Sequence, residues 1–136
     1  MSIVNFPEST FESFFVDDHE VFIEFNSCQI EGDYHGCSIG FTVDEEFDFC
    51  GDIDPDTRRR ISLRIMGELR KMIRELPTGT VVTCSPNDDD GRGELRSRVF
   101  MKSGFGEVDE FENMWGIVDN GKVTPSDRDD VLTLIG

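Results

Sequence analysis

The sequence predicts an α/β or α+β domain in which helices cover a mixed sheet. Three observations predict this class: residues 21–30 are rich in β-branched and aromatic side chains, residues 61–76 carry an apolar stripe at helical spacing, and Asn120-Gly121 marks a tight hairpin turn. Because the 136 residues show no repeat, linker or convincing boundary, we expect one domain over residues 1–136.

The first elements predicted are a short helix and a β-hairpin. Within residues 6–15, apolar side chains recur at spacings of three and four residues, which indicates one helical face: Phe11, Phe14 and Phe15. Residues 21–30 alternate in part between apolar and polar side chains and predict a strand. Residues 31–36 form a turn flanked by glycines, and residues 37–43 complete an antiparallel hairpin.

The clearest helix comes next. Asp54 or Asp56 supplies its N-cap, and both acids suit the positive end of the helix dipole. One apolar stripe then runs along it: Ile61, Ile65, Leu69, Met72, Ile73 and Leu76. Residues 77–79 (Pro-Thr-Gly) end the helix, and residues 80–84 predict a short buried strand.

The last third predicts a helix, strand material and a terminal hairpin. A helix over residues 95–103 has three inward side chains: Leu95, Val99 and Met101. Residues 105–118 offer strand material, and residues 119–121 (Asp-Asn-Gly) carry the hairpin signal. Ser126 caps a last turn or two through Leu134, so residues 124–136 are expected as a flexible or helical tail.

Charge is distributed unevenly along the chain. The first 57 residues contain fifteen Asp or Glu and no Lys or Arg, whereas the other 79 contain fourteen acids and all thirteen bases. A surface this acidic repels phosphate backbones and anionic lipids, so direct nucleic-acid and membrane binding are excluded. It suits a basic protein surface, a cation, or a protein site that normally holds nucleic acid.

Other functional classes find little support in the sequence. No apolar run is long enough to span a bilayer, and the N-terminus lacks the pattern of a signal peptide. The cysteines form no CxxC pair, which favours a reduced, cytoplasmic chain over a disulfide framework.

The sequence also argues against a metal site. Asp52, Asp54 and Asp56 resemble the start of a calcium loop, but Thr57 and Leu63 replace the glycine and glutamate that an EF-hand requires. The spacing of Cys28, His35, Cys37 and Cys50 does not suit zinc, so no metal is expected.

The segment Arg98-Val99-Phe100-Met101-Lys102-Ser103-Gly104-Phe105 resembles the LYxKxGF signature near the end of GNAT-type N-acetyltransferases. The resemblance covers about residues 19–118. It implies a mixed, mainly antiparallel sheet flanked by helices, in which the Gly-Phe pair closes the last helix onto the next strand. The chain is also similar to small GNAT-like proteins encoded by tailed bacteriophages, which implies a host-modulating role in the host cytoplasm.

The chain departs from that family at the coenzyme loop. In GNAT enzymes a glycine-rich loop and a helix N-terminus hold the pyrophosphate of coenzyme A. Residues 44–57 (DEEFDFCGDIDPDT) stand there instead, with seven carboxylates and only Gly51. Carboxylates repel a pyrophosphate, so we expect that the coenzyme-binding loop is lost. Phe100 also lacks the hydroxyl of the tyrosine that often serves as the acid in the family.

These observations favour a non-enzymatic protein that presents carboxylates to a basic protein partner, as an inhibitor or nucleic-acid mimic. The acids expected to bind the partner are Glu31, Asp33, Asp44, Glu45, Glu46, Asp48, Asp52, Asp54 and Asp56. They lie in loops next to the hairpin, so they can be presented together, but the alternation of strand faces leaves open whether they form one contiguous patch. The alternative is an N-acetyltransferase for a basic amine, with acetyl-CoA held by Arg58, Arg59 and Arg60 and with Glu24 as general base. Only this alternative requires a cofactor.

Overall fold

The computed structural model of the chain describes residues 4–6, 9–44, 54–85, 99–106, 109 and 113–135. Within these residues the chain has one six-stranded sheet and three helices, which confirms the predicted α+β class. The strands are β1 (Thr10–Val16), β2 (His19–Glu31), β3 (Tyr34–Val43), β4 (Val81–Cys84), β5 (Met114–Asp119) and β6 (Lys122–Ser126). The helices are α1 (Pro55–Arg74), α2, of which residues 99–102 are described, and α3 (Arg128–Ile135). None of the described helices is long and apolar enough to cross a membrane.

The six strands lie side by side in the order in which they occur along the chain. Neighbouring strands are antiparallel except β3 and β4, which are parallel and are connected through α1. An antiparallel pair needs only a tight turn, whereas a parallel pair needs a crossover, and α1 supplies it. The sheet is therefore mixed and mainly antiparallel.

The predicted N-terminal helix is wrong, because residues 10–16 form strand β1. Thr10 to Val16 pair residue by residue with β2, ending at the Val16–His19 pair. Phe11 and Phe15 are exposed, and only Phe14 packs partly against the core. The three phenylalanines therefore lie on both sides of a strand, and their helical spacing does not mark a buried face.

The predicted hairpin of β2 and β3 is confirmed and defines the two faces of the sheet. Side chains alternate along each strand, and paired residues share a face. Val21, Ile23 and Phe25 are buried on the face that packs against α1, here called the α1 face. Phe22 and Glu24 lie on the opposite face, called the open face.

The long helix α1 begins and packs as predicted. Asp54 is its N-cap and accepts hydrogen bonds from the backbone N–H of Thr57 (3.0 Å) and from its hydroxyl (2.6 Å). The apolar stripe lies in the main core on the α1 face, with these members fully or nearly fully buried: Ile61, Ile65, Leu69, Met72 and Ile73. Leu76, just beyond the helix, packs partly against the same core.

On the open face, α3 packs at the β4–β5 end of the sheet. Val131 of α3 is fully buried against Trp115 and Ile117, so the C-terminal segment is packed rather than a flexible tail. The cap of α3 is Asp127, whose carboxylate accepts from the N–H of Asp130 (2.8 Å), and not Ser126 as predicted.

The end of α2 folds back onto the core. Phe100 and Phe105 are buried and their rings meet edge to face, 5.5 Å between centroids. The N–H of Phe105 bonds to the carbonyl of Phe100 (3.1 Å), and Gly104 between them has a φ of +107°. Val99 is buried as predicted, whereas Met101 is exposed because it lies on the outer side of this turn; Leu95 lies outside the described residues.

Gly104 and Gly40 provide a matched test of this packing. A methyl group at Gly104 would collide with the carbonyl oxygen of Val123 and force a side chain into a positive φ, whereas nothing lies within 4 Å of the same position at Gly40. We expect Gly104→Ala to lower the free energy of unfolding by roughly 2 kcal/mol or more, and Gly40→Ala to change it by less than about 1 kcal/mol. Urea denaturation followed by circular dichroism measures both, and equal midpoints would contradict this account of the α2 end.

Candidate functional site

Five aspartates gather at the end of the molecule where α1 begins. Asp17 and Asp18 form the turn between β1 and β2, Asp44 follows β3, and Asp54 and Asp56 flank the start of α1. All five are exposed. We call these five residues the acidic end.

A hydrogen-bond cluster holds Asp44 in place. Its carboxylate is 2.6 Å from Nδ1 of His19 and accepts a second bond, of 2.9 Å, from the backbone N–H of Glu20. The backbone N–H of Asp44 in turn donates to the carbonyl of Glu20 (2.7 Å). The hydrogen bond with His19 is the main reason why the pKa of Asp44 is lowered, so the carboxylate stays charged.

A second chain of contacts joins the β1–β2 turn to α1. Arg60 donates from Nε to the carboxylate of Asp17 (2.7 Å) and from Nη2 to the hydroxyl of Thr57 (3.0 Å). Thr57 donates to Asp54, and these hydrogen bonds are the main reason why the pKa of Asp54 is lowered. Asp17 and Asp54 are therefore fixed relative to one another, although 37 residues separate them in sequence.

Three of these aspartates have left-handed backbone conformations. Asp17, Asp18 and Asp44 have φ values of 50°, 69° and 53°, and the only other described residue of this kind besides glycine is Asn120. Asp and Asn adopt this conformation more readily than most residues. Each of the three lies where the chain leaves a strand, so the strand ends expose their carboxylates.

The five described acids among those predicted to bind a partner lie in two groups. Asp44, Asp54 and Asp56 lie at the acidic end, whereas Glu31 and Asp33 lie at the other end of β3. Ten residues of strand separate the two groups, about 30 Å. The remaining four acids lie outside the described residues: Glu45, Glu46, Asp48 and Asp52.

The residues of the acetyltransferase alternative are likewise separated. Glu24 is exposed on the open face, where its carboxylate accepts from Asn26 (3.3 Å). Arg58, Arg59 and Arg60 belong to the first turns of α1, which packs on the opposite face. Asp17 binds Arg60, and Arg59 is exposed. The described geometry therefore places the general base and the phosphate ligands on different faces of the sheet.

A groove lined by basic residues lies near the other end of α1. It has a volume of about 230 Å³ and is bounded by the end of α1, the end of α2 and the β5–β6 turn. Four cationic side chains line it, with no carboxylate among the described lining residues: Arg70, Arg74, Lys102 and Lys122. We call it the basic groove. Because α1 has 20 residues, the acidic end and the basic groove are separated by roughly 30 Å or less along its axis.

The cysteines and histidines considered for zinc do not converge. Cys37 is buried on the α1 face, where burial raises the pKa of its thiol, and Cys28 lies on the open face. His35 contacts the carbonyl of Asp33 (3.1 Å). Among the described residues, no three His, Cys, Asp or Glu side chains are placed to hold a metal ion; Cys50 lies outside them.

Sequence reasoning missed Asp17, Asp18 and His19. Their signal was present: two consecutive aspartates stand between two segments rich in aromatic and β-branched residues, which is a pattern for a two-residue hairpin turn. Because a helix was predicted over residues 6–15, the predicted fold had no first strand. It therefore contained neither the β1–β2 turn nor its contact with Arg60.

Comparison with protein families, curated proteins and solved structures found no match to this chain. The resemblance to GNAT N-acetyltransferases therefore stays a prediction. The described fold is a mixed sheet with helices, which is too general to test that resemblance. A mixed sheet with helices supports many unrelated functions, however, so the function must be argued from the site.

The contact between His19 and Asp44 predicts a specific pH response. Because the folded-state pKa of Asp44 lies below the usual value of 3.8, its carboxylate adds stability at neutral pH. That contribution is lost as the pH falls from the usual value through the lower, folded-state pKa. We expect His19→Ala to raise the pKa of Asp44 toward the usual value, as measured by NMR titration of the side-chain carboxyl carbon. His35→Ala, at the far end of the hairpin, is the matched control; an Asp44 pKa unmoved by His19→Ala would refute the assigned cause.

Proposed function

We propose that the chain is a small non-enzymatic binding protein whose acidic end contacts a basic surface on a protein partner. The observation that carries the proposal is the convergence of Asp17, Asp18 and Asp44 with Asp54 and Asp56 at one end of the molecule. Their hydrogen bonds fix several of these carboxylates before any partner arrives. A preorganised charged surface loses less entropy on binding than a mobile one.

The five aspartates of this surface outnumber the three arginines that lie near it in the first turns of α1, which are Arg58, Arg59 and Arg60. Arg60 is held by Asp17 and Thr57, so much of its hydrogen-bonding capacity is used within the molecule. The chain between Asp44 and Asp54 contains four further acids and no base in its sequence. A partner that normally binds nucleic acid fits this chemistry, because its cations already match closely spaced anions. The resemblance to phage proteins extends the proposal to an inhibitory or host-modulating role.

The basic groove favours one orientation of the two molecules in the proposed interaction. A cationic partner is attracted to the acidic end and repelled by the groove lined by Arg70 and Arg74. Such separation of charge orients the two molecules during their encounter and discriminates against wrong orientations. Association is then fast at low salt and slows as the screening length falls below about 10 Å near 0.1 M salt.

Two double variants with equal charge test the proposal, with octalysine as the probe. Asp44→Asn with Asp56→Asn removes two charges from the acidic end, and Asn tolerates the φ of residue 44. We expect it to weaken octalysine binding at low salt by roughly tenfold to thirtyfold, because each close charge pair contributes about 1 kcal/mol in water. Isothermal titration at several salt concentrations measures the loss.

The matched control is Glu31→Gln with Asp33→Asn, which removes the same charge from the other end of β3. It should leave the affinity within about twofold of the unmodified chain, because these carboxylates are about 30 Å from the acidic end. Equal losses in both double variants would mean that octalysine responds to net charge alone. Octalysine binding that does not change with salt concentration would also contradict the acidic-end proposal.

The acetyltransferase alternative rests on two observations at the start of α1. Arg59 is exposed there, and Nε of Arg58 is buried without a hydrogen-bond partner among the described residues. The alternative predicts that acetyl-CoA stabilises the folded chain and so raises its unfolding temperature. At a hundredfold excess over the dissociation constant, the free energy of unfolding should rise by about 2.7 kcal/mol. Arg59→Glu should abolish this stabilisation, and Arg70→Glu, which is exposed farther along the helix, should not. Absence of binding at millimolar acetyl-CoA would retire the alternative.

A further inference from the structure

The outer edge of β1 is exposed and apolar. β1 is the outermost strand of the sheet, and no described strand pairs with its outer side. Phe11 and Phe15 are 68% and 67% exposed, an unusual state for large aromatic side chains. Natural sheets protect such an edge with Lys, Pro, inward charges or a bulge. Of these devices β1 has only one charge on the α1 face, that of Glu12; it has no Lys or Pro, and its register with β2 is continuous.

The β1–β2 turn determines which backbone groups of β1 point outward. Asp17 and Asp18 form a two-residue loop, both with positive φ, and the Val16–His19 pair closes it. In this type I′ geometry the closing pair exchanges both backbone hydrogen bonds, and such pairs recur at every second residue. The residues between them direct their N–H and C=O groups away from β2. These residues are Phe11, Ser13 and Phe15.

We propose that two copies of this chain pair through β1, in antiparallel orientation, about a two-fold axis at Ser13. In this register Ser13 faces Ser13 of the copy, and Phe11 of each chain faces Phe15 of the other. Each of the three outward-pointing residues then forms a hydrogen-bonded pair with an outward-pointing residue of the copy. Because the same patch serves both chains, the assembly closes as a dimer and does not continue as a fibre.

The exposed phenylalanines fit this symmetry. Phe11 and Phe15 are each two residues from Ser13 and lie on the same, open face of the sheet. The ring of Phe11 already lies 6.4 Å from that of Phe22. Pairing places each Phe11 beside Phe15 of the copy, and cross-strand aromatic pairs stabilise antiparallel sheets. One symmetric contact thus covers both of the exposed aromatic side chains in β1.

Charge complementarity on the α1 face favours the same register. Glu12 faces Phe14 of the copy, and the ring of Phe14 lies 4.7 Å from the guanidinium carbon of Arg64. Arg64 donates from Nε to Glu68 of its own chain (3.1 Å), but its side chain is still 51% exposed, so the carboxylate of Glu12 in one chain approaches a cation of the other. The net charge of −16 on each chain opposes association over longer distances. Added salt therefore strengthens the dimer, the reverse of its effect on the acidic end.

Cross-linking tests the register directly. In an antiparallel hydrogen-bonded pair the Cα atoms are about 5.5 Å apart, which is suitable for a disulfide, so Ser13→Cys should form a covalent dimer on mild oxidation. Thr10→Cys is the matched control in the same strand, because the symmetry places residue 10 about 20 Å from its own copy. Mass spectrometry of the linked peptide separates this bond from one made by a native cysteine.

Sedimentation equilibrium at increasing concentration and salt tests the dimer itself. We expect Ser13→Pro to raise its dissociation constant at least tenfold, since it removes the central outward N–H and leaves the bonds to β2 in place. Phe11→Ser with Phe15→Ser should do the same by changing exposed side chains only; far-UV circular dichroism checks that each variant is folded. A chain that remains monomeric at millimolar concentration and high salt overturns the proposal, as does a dimer that survives both variants or links equally well through Cys at residue 10.

Discussion

The packing of α1 against β2 and β3 is the interaction on which the rest of the structure depends. Ile61, Ile65 and Leu69 are fully buried against a strand face that presents fully or nearly fully buried Val, Ile and Phe side chains. Burial of apolar area on this scale is the main favourable term in folding. It also fixes the direction of a helix of 20 residues relative to the sheet. The start of α1 is thereby held beside the β1–β2 turn, and its end beside the β5–β6 turn.

The charges of the molecule follow from that placement. Asp54 and Asp56 lie at the positive end of the helix dipole, and Lys71 and Arg74 lie in its last turn, where cations are favoured. Between them the nearly buried Glu68 accepts from Arg64 (3.1 Å) and Lys71 (3.4 Å). The charges of α1 are thus compensated by the helix dipole at both ends and by ion pairs in the middle. The same helix separates the acidic end from the basic groove. The uneven distribution of charge along the sequence thus produces an uneven distribution in space. Acidic and basic residues are, however, separated less completely in space than in sequence.

Local signals in the sequence predicted the elements that local chemistry determines. The N-cap and stripe of α1, the β2–β3 hairpin and the Asn120-Gly121 turn were all correct, because each depends on residues close together in sequence. The prediction for residues 10–16 was wrong because three phenylalanines at helical spacing also fit a strand with Phe11 and Phe15 on an exposed face and Phe14 on the face toward α1. The site was less predictable still: the contact of Arg60 with Asp17 spans 43 residues, and the length of β3 separates Asp33 from Asp44. Neither fact follows from the spacing of charges along the chain.

The β1–β2 turn connects the two proposed interactions. Its two-residue length decides which backbone groups of β1 point outward, and its aspartates begin the acidic end. Arg60 ties the same turn to α1, so this contact links the edge strand to the start of α1. In a dimer paired through β1, antiparallel strands direct the two turns away from one another. The charges that repel are then as far apart as the edge allows, and each acidic end stays open to a partner.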